Sequence, residues 1–230
     1  TPLFVRLPDA GDGNWTTSAD NDFGDLHQMD LSPGLNVGDR QLLPADLLTD
    51  LDGAPRIRQG LVDLGAYEAQ LIGQYRVDQS ASGPAENGLT WETAFTSLHT
   101  ALAVAFSGDQ IWLKADTYKP SGPNGDRSLS FVVPDGVEVY GGFTGTETTL
   151  NQRNRNPDTN GTFLSGDLNG DGNEPGTGDD NSYHVVTFAE GATSLTRLES
   201  LTIRDGHADG SGGFDRFGGG ALVIDGDPSF

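Results

Sequence analysis

Leu198-Glu-Ser-Leu-Thr-Ile203 is an apolar word too short for a helix, and it reads as one strand. Words of the same kind precede and follow it: Gln110-Ile-Trp-Leu-Lys114, Leu129-Ser-Phe-Val-Val133, Val137-Glu-Val-Tyr140, Thr162-Phe-Leu164, His184-Val-Val-Thr-Phe188 and Gly220-Ala-Leu-Val-Ile224. The later ones recur roughly every 16–24 residues, a period that with strand words predicts a solenoid. Each rung would bury its inward residues against its neighbours, about 4.8 Å away. Gly141-Gly142, Gly212-Gly213 and Gly218-Gly-Gly220 suit the corners, where a chain turns sharply without a Cβ.

Helical period appears in one stretch, from Trp91 to Phe106. There Phe95, Leu98, Leu102, Ala105 and Phe106 fall at three- and four-residue steps, with Thr90 available as N-cap and Gly108 just past the end. The spacing predicts one helix over 91–106. The first seventy residues are different, short apolar words such as Pro2-Leu-Phe-Val-Arg-Leu7 separated by Asp, Gly and Pro. Leu61-Val-Asp-Leu-Gly-Ala-Tyr-Glu68 alternates like a strand, and Gly73-Gln-Tyr-Arg-Val-Asp78 starts another.

Several words are specific enough to suggest kinship. Tyr75-Arg-Val-Asp-Gln-Ser-Ala-Ser-Gly83, Asn87-Gly-Leu-Thr-Trp-Glu-Thr-Ala-Phe95, Gly141-Gly-Phe-Thr-Gly-Thr-Glu147, Leu164-Ser-Gly-Asp167 and Asn181-Ser-Tyr-His-Val-Val186 resemble the opening of bacterial secreted right-handed parallel β-helix proteins. These are the choice-of-anchor Q chains with pectin-lyase-like coils. Gly218-Gly-Gly-Ala-Leu222 is similar to words of polymorphic outer-membrane protein repeats. The resemblance covers about residues 75–225 and implies that the 91–106 helix caps the first end of the coil. Residues 31–38 and 50–68 resemble the segment that ends such a coil, so here an ending precedes a beginning.

The expected architecture is therefore all-β: a right-handed parallel β-helix with one capping α-helix, preceded by a β-rich, loop-heavy closing segment. Residues 1–70 form the closing or docking segment, and 71–230 the capped coil, incomplete at its C-terminal end. A slice across two tandem modules and a subunit that polymerises both fit this order. The opening Thr1-Pro2 lacks Met and any signal-peptide pattern, which suits a processed or excised piece. In the polymerising case Pro2, Leu3, Phe4 and Val5 add to the exposed last rung of a neighbour at Ala221, Leu222, Val223 and Ile224.

Asp167-Leu-Asn169-Gly-Asp171-Gly172-Asn173 carries the first half of a calcium loop, with oxygens at alternate positions and Gly at the sixth. Gly178 stands where a bidentate Glu belongs, so it is not an EF-hand. The candidate ligands are Asp167, Asn169, Asp171, the carbonyl of Asn173, and Asp179; the alternative is a solvated acidic insertion. Residues 9–14, 20–25 and 50–52 read as Asx-turns. Arg197, Arg204, Asp205, His207, Asp209 and Arg216 supply the ingredients of a carbohydrate-active groove, yet no spacing pairs two carboxylates and no catalytic residue is assigned.

Composition bounds the function. With 230 residues, 34 acidic against 13 basic side chains and a formal charge of -21, the chain repels phosphate backbones and anionic bilayers. Nucleic acid and membrane insertion are excluded as default partners, while calcium suits the charge. The absence of Cys removes disulfides and thiolate sites, and a pI near 4.1 suits an extracellular or cell-surface setting. The expectation is a structural or adhesive module, calcium-stabilised, whose partner is itself, head to tail, or a neighbouring β-helix module. The alternative is a polysaccharide-binding or carbohydrate-active surface.

Overall fold

The computed structural model describes residues 2–11, 16, 22–29, 31–58, 61–69, 72–83, 85–172, 180–211, 213–216 and 218–222. The chain divides into two compact units, Thr1–Leu71 and Ile72–Phe230. In the first, β1 (Phe4–Arg6) pairs antiparallel with β2 (Asp25–Gln28), and a 3-10 turn covers Arg40–Leu42. The alternating residues 61–69 form bends, not a strand. The Asp carboxylates there do what Asx-turns require: Asp9 accepts the Gly11 amide, Asp22 that of Gly24, and Asp50 those of Asp52 and Ala54.

The second unit holds β3 (Gln74–Val77), α1 (Leu98–Val104), β4 (Gln110–Lys114), β5 (Thr117–Tyr118), β6 (Phe131–Val133), β7 (Glu138–Phe143), β8 (Phe163–Ser165), β9 (Val186–Phe188), β10 (Arg197–Glu199), β11 (Thr202–Arg204) and β12 (Ala221–Leu222). They form three parallel sheets, ordered β10-β7-β4-β3, β11-β8-β5 and β12-β9-β6. In the first, Tyr75, Ile111, Val139 and Leu198 stand in register and face the core, where all four are buried. The core continues through Leu113, Phe131, Val133, Leu164, Val186 and Phe188.

This corrects the all-β reading of a single right-handed parallel β-helix. The strands lie in separate small sheets of four, three and three strands, and with 9% helix and 24% strand the chain has a mixed, α/β-like character. The physical reason lies in the words themselves. Residues 198–203 are not one strand, because Ser200 adopts φ 59° and breaks the word into β10 and β11, which belong to different sheets. Likewise residues 115–116 part β4 from β5. A ladder cannot run across such corners, so the strands on either side of each corner belong to different sheets.

The helix is also shorter than its pattern. Residues 91–97 are not helical, because Phe95 is drawn beside β3: its amide donates to the Arg76 carbonyl and its own carbonyl accepts the Asp78 amide. Thr90 caps a local turn with Thr93 instead. What remains, seven residues, packs Leu98, Ala101 and Leu102 inward and lies on β3 and β6, each at the edge of its sheet. Glycine is required at Gly142, where φ is +87° and a side chain would collide with the Asn154 carbonyl.

Candidate functional site

The last strand of each sheet comes from one stretch of chain, residues 197–222. Among the described residues β10, β11 and β12 each have a strand on one side only. Leu201, Ile203 and Ala221 of this stretch pack on the core while remaining half-exposed. The approach to β10 is fixed by Asp135, which accepts from the Thr193 amide and hydroxyl at 2.7 and 2.8 Å and from Thr196 at 3.2 Å. These donations, the Thr193 amide first, hold its carboxyl below the usual range. Leu195 projects beside it, 67% exposed. The result is a rim of three strands with no ladder partner on the outer side among the described residues, backed by partly buried apolar side chains.

Of the assembly residues expected at the other end, Pro2, Leu3 and Val5 are exposed and Phe4 is half-buried. β1 already pairs with β2, and both backbone groups of Leu3 are engaged, its amide with Ser32 Oγ and its carbonyl with the Met29 amide. Only the far side of β1 carries no strand among the described residues. Ala221 and Leu222 form β12; Val223 and Ile224 lie outside the described residues.

The candidate groove residues are brought together in part, and Asp209, Arg204, Asp205 and Arg197 each have a local partner. Asp209 takes a hydrogen bond of 2.5 Å from Arg127, which also donates to the carbonyls of Asn181 and His207 and lies 4.5 Å from the Tyr183 ring. Arg204 lies 4.3 Å over the Phe163 ring and 3.2 Å from Asp205, and Asp205 accepts from Ser165 at 2.7 Å. Arg197 is elsewhere, 3.8 Å from Glu138 on the outer side of the first sheet, and Arg216 lies in the 3-10 turn Gly213–Arg216. The arrangement ties the loops together. Arg127 and Tyr183, its centre, gave no sequence signal, since Arg127 and Asp209 stand 82 residues apart.

On the outer face of the first sheet the aromatic side chains are packed against one another and against arginine. Arg76, Trp112, Tyr140 and Glu199 form one register column on the outer face of the first sheet. Phe143 stacks on Trp112 at 4.6 Å, Arg153 covers Tyr140 at 4.8 Å, and Trp112 and Tyr140 are buried. Trp15 lies outside the described residues.

In the acidic loop, Asp167 accepts the amides of Gly170 and Gly172 at 2.7 and 3.1 Å, and the Asn169 amide group donates to Asp171 at 2.9 Å. The side-chain oxygens curl around their own backbone. Among the described residues no three acidic or histidine side chains converge as metal ligands. Asn173 and Asp179 lie outside the described residues, and the described candidates are two carboxylates and one amide.

The first unit buries charge, a feature the sequence reading missed. Arg56 Nη1 lies 2.9 Å from Glu68 Oε1, and Glu68 accepts the Asp63 amide at 2.8 Å. Burial pushes the Glu68 carboxyl up to about 7, against the opposing pull of the Asp63 amide and the Arg56 charge. Asp63 in turn accepts the amides of Asn36 and Ala69.

No helix among the described residues is long and apolar enough to cross a membrane. The chain matches no known family model, no curated protein and no solved structure.

Proposed function

We propose that the chain is an extracellular structural or adhesive module whose copies join head to tail, the first unit of one copy covering the β10–β11–β12 rim of the next. One observation carries this reading: three sheets end together on a rim whose half-buried Leu201, Ile203 and Ala221 await a further layer. Unpaired strand edges with apolar residues behind them recruit another chain unless something blunts them. The first unit exposes the apolar side chains Leu3, Val5, Leu31, Leu42, Leu48 and Leu51, the candidates for that layer. The acidic composition supports the extracellular setting. Calcium at Asp167, Asn169 and Asp171 belongs to the same proposal, supported by oxygens at alternate positions.

Sedimentation velocity over rising protein concentration tests it. Species larger than one chain are expected, and Ile203→Asp should suppress them. A monodisperse monomer at every concentration, with calcium present, overturns the reading.

A second reading, a polysaccharide-binding surface, is favoured by the Arg127–Tyr183–Asp209 group, where an aromatic face and a cation lie together. Retardation on immobilised acidic polysaccharide that Arg127→Ala abolishes would support it; equal mobility of the two proteins removes it.

A further inference from the structure

The β1–β2 hairpin carries His27, whose two ring nitrogens face carboxylates from different parts of the first unit. Nδ1 lies 2.5 Å from Asp25 Oδ1 on the same strand, and Nε2 lies 2.6 Å from Asp52 Oδ2, 25 residues away. The ring stacks on Tyr67 with centroids 4.0 Å apart and planes at 31°. Three stretches that share no ladder are thereby held at one side chain.

An ionised carboxylate accepts hydrogen bonds and donates none, and a neutral imidazole has a single N–H. Both contacts are hydrogen bonds only when the ring carries two protons. We propose that His27 is a proton-operated clasp, tying the hairpin to the turn at residues 50–53 as imidazolium and releasing one of the two carboxylates when its proton passes to solvent.

The surrounding charges favour the closed form. Asp25 and Asp52 flank the ring; Arg6 on β1 pairs with Asp22 and also acts on Asp25; Asp50 is turned to the amides of Asp52, Ala54 and Glu68; Tyr67 covers one face. Hydrogen bonds to Asp52 and then Asp25 raise the His27 value above that of an ordinary histidine, and His27 in turn holds Asp25 low. A histidine raised on folding stabilises fully below its unfolded value and stops doing so as pH rises through its folded value. The clasp therefore opens on the alkaline side of that folded value.

The clasp stands independently of the joining of copies. Where copies join through β1, the same proton would govern how firmly the joining strand is held, and that consequence alone rests on the proposed function.

Proton NMR titration of the full chain tests the clasp, with the His27 ring signal identified as the one missing from His27→Gln. The expected midpoint lies above about 6.5, the ordinary histidine value, and falls in both Asp52→Asn and Asp25→Asn; the ring-current shift from Tyr67 should change through the same midpoint. A wild-type midpoint at or below the ordinary value overturns the clasp. So does a midpoint unmoved in both variants, each judged folded by unchanged signals of Val62, buried in the first unit. Sedimentation across the same pH range reads the consequence for joining separately, so loss of one result leaves the other standing.

Discussion

Leu164 and Ile203 occupy the same register column of the second sheet, one on the middle strand β8 and the other on the terminal strand β11. Leu164 is fully buried and Ile203 half-exposed. Truncating a buried Leu or Ile to Ala costs about 2–5 kcal/mol, as lost transfer energy plus the cavity left behind. Leu164→Ala should lie in that range at every protein concentration. Ile203→Ala in an isolated chain should cost less, because a side chain still partly open to solvent has fewer contacts to lose. In a joined chain the difference vanishes. Joining also makes the melting temperature of the wild type depend on concentration: at a hundred times the dissociation constant the stabilisation is about 2.7 kcal/mol, or about 5–10 °C for a unit of this size. Calorimetry of the wild type and both variants, at a low and a high concentration, measures each term. If Ile203→Ala stays cheap and no melting temperature moves with concentration, the rim is a finished surface and the joining of copies is refuted.

Three further outcomes follow from the same geometry. Calcium should raise the melting temperature, and Asp167→Asn with Asp171→Asn should abolish the rise; an unchanged melt with chelator removes the ion. Glu68, raised by burial to about 7, contributes stability that is complete below its unfolded value near 4.5 and is lost as pH rises through about 7. Hydrogen exchange of the first unit should accordingly quicken over that window, and Glu68→Gln should flatten the response. Gly142→Ala should destabilise the second unit by about 1–3 kcal/mol in denaturant unfolding, because its φ of +87° strains any L side chain; a neutral result would mean the β7 corner relaxes freely.

Most strands of the second unit were legible because each is an apolar word bounded by turn residues. Gln110-Ile-Trp-Leu-Lys114 is β4 to the residue, and the words at 162–164 and 137–140 lie within a residue or a few of β8 and β7. What the words could not carry was their allocation among sheets. Ser200 and Asp205 take positive φ without being glycine, so nothing marked the corner inside residues 198–203. The helix was overread at 91–97 because its apolar spacing also suits an extended segment pinned to β3, and tertiary pairing outranked the local pattern. The candidate sites fared similarly. The acidic loop was visible because its oxygen-bearing residues are close in sequence, whereas Arg127 with Asp209, and His27 with Asp52, meet only through the fold.

The first unit inverts the usual distribution of side chains. Among the described residues its buried apolar side chains are Ala10 and Val62, while Arg56, Arg58, Asp63, Glu68 and Ser32 are buried with them. It also holds fourteen of the twenty-one exposed large apolar side chains among the described residues, with less than a third of the chain. Hydrophobic burial, at roughly 25 cal/mol per Å², therefore does little to hold it together. Buried ion pairs do not compensate, because desolvation offsets most of their attraction. What remains are Asx-turns, a short hairpin and the carboxylate contacts of Asp63, Glu68 and His27, all of which fix shape more than they add free energy. A segment so built keeps its form at low intrinsic stability and offers its leucines outward. The stability of this unit should therefore respond to pH more strongly than that of the second, through Glu68 and His27.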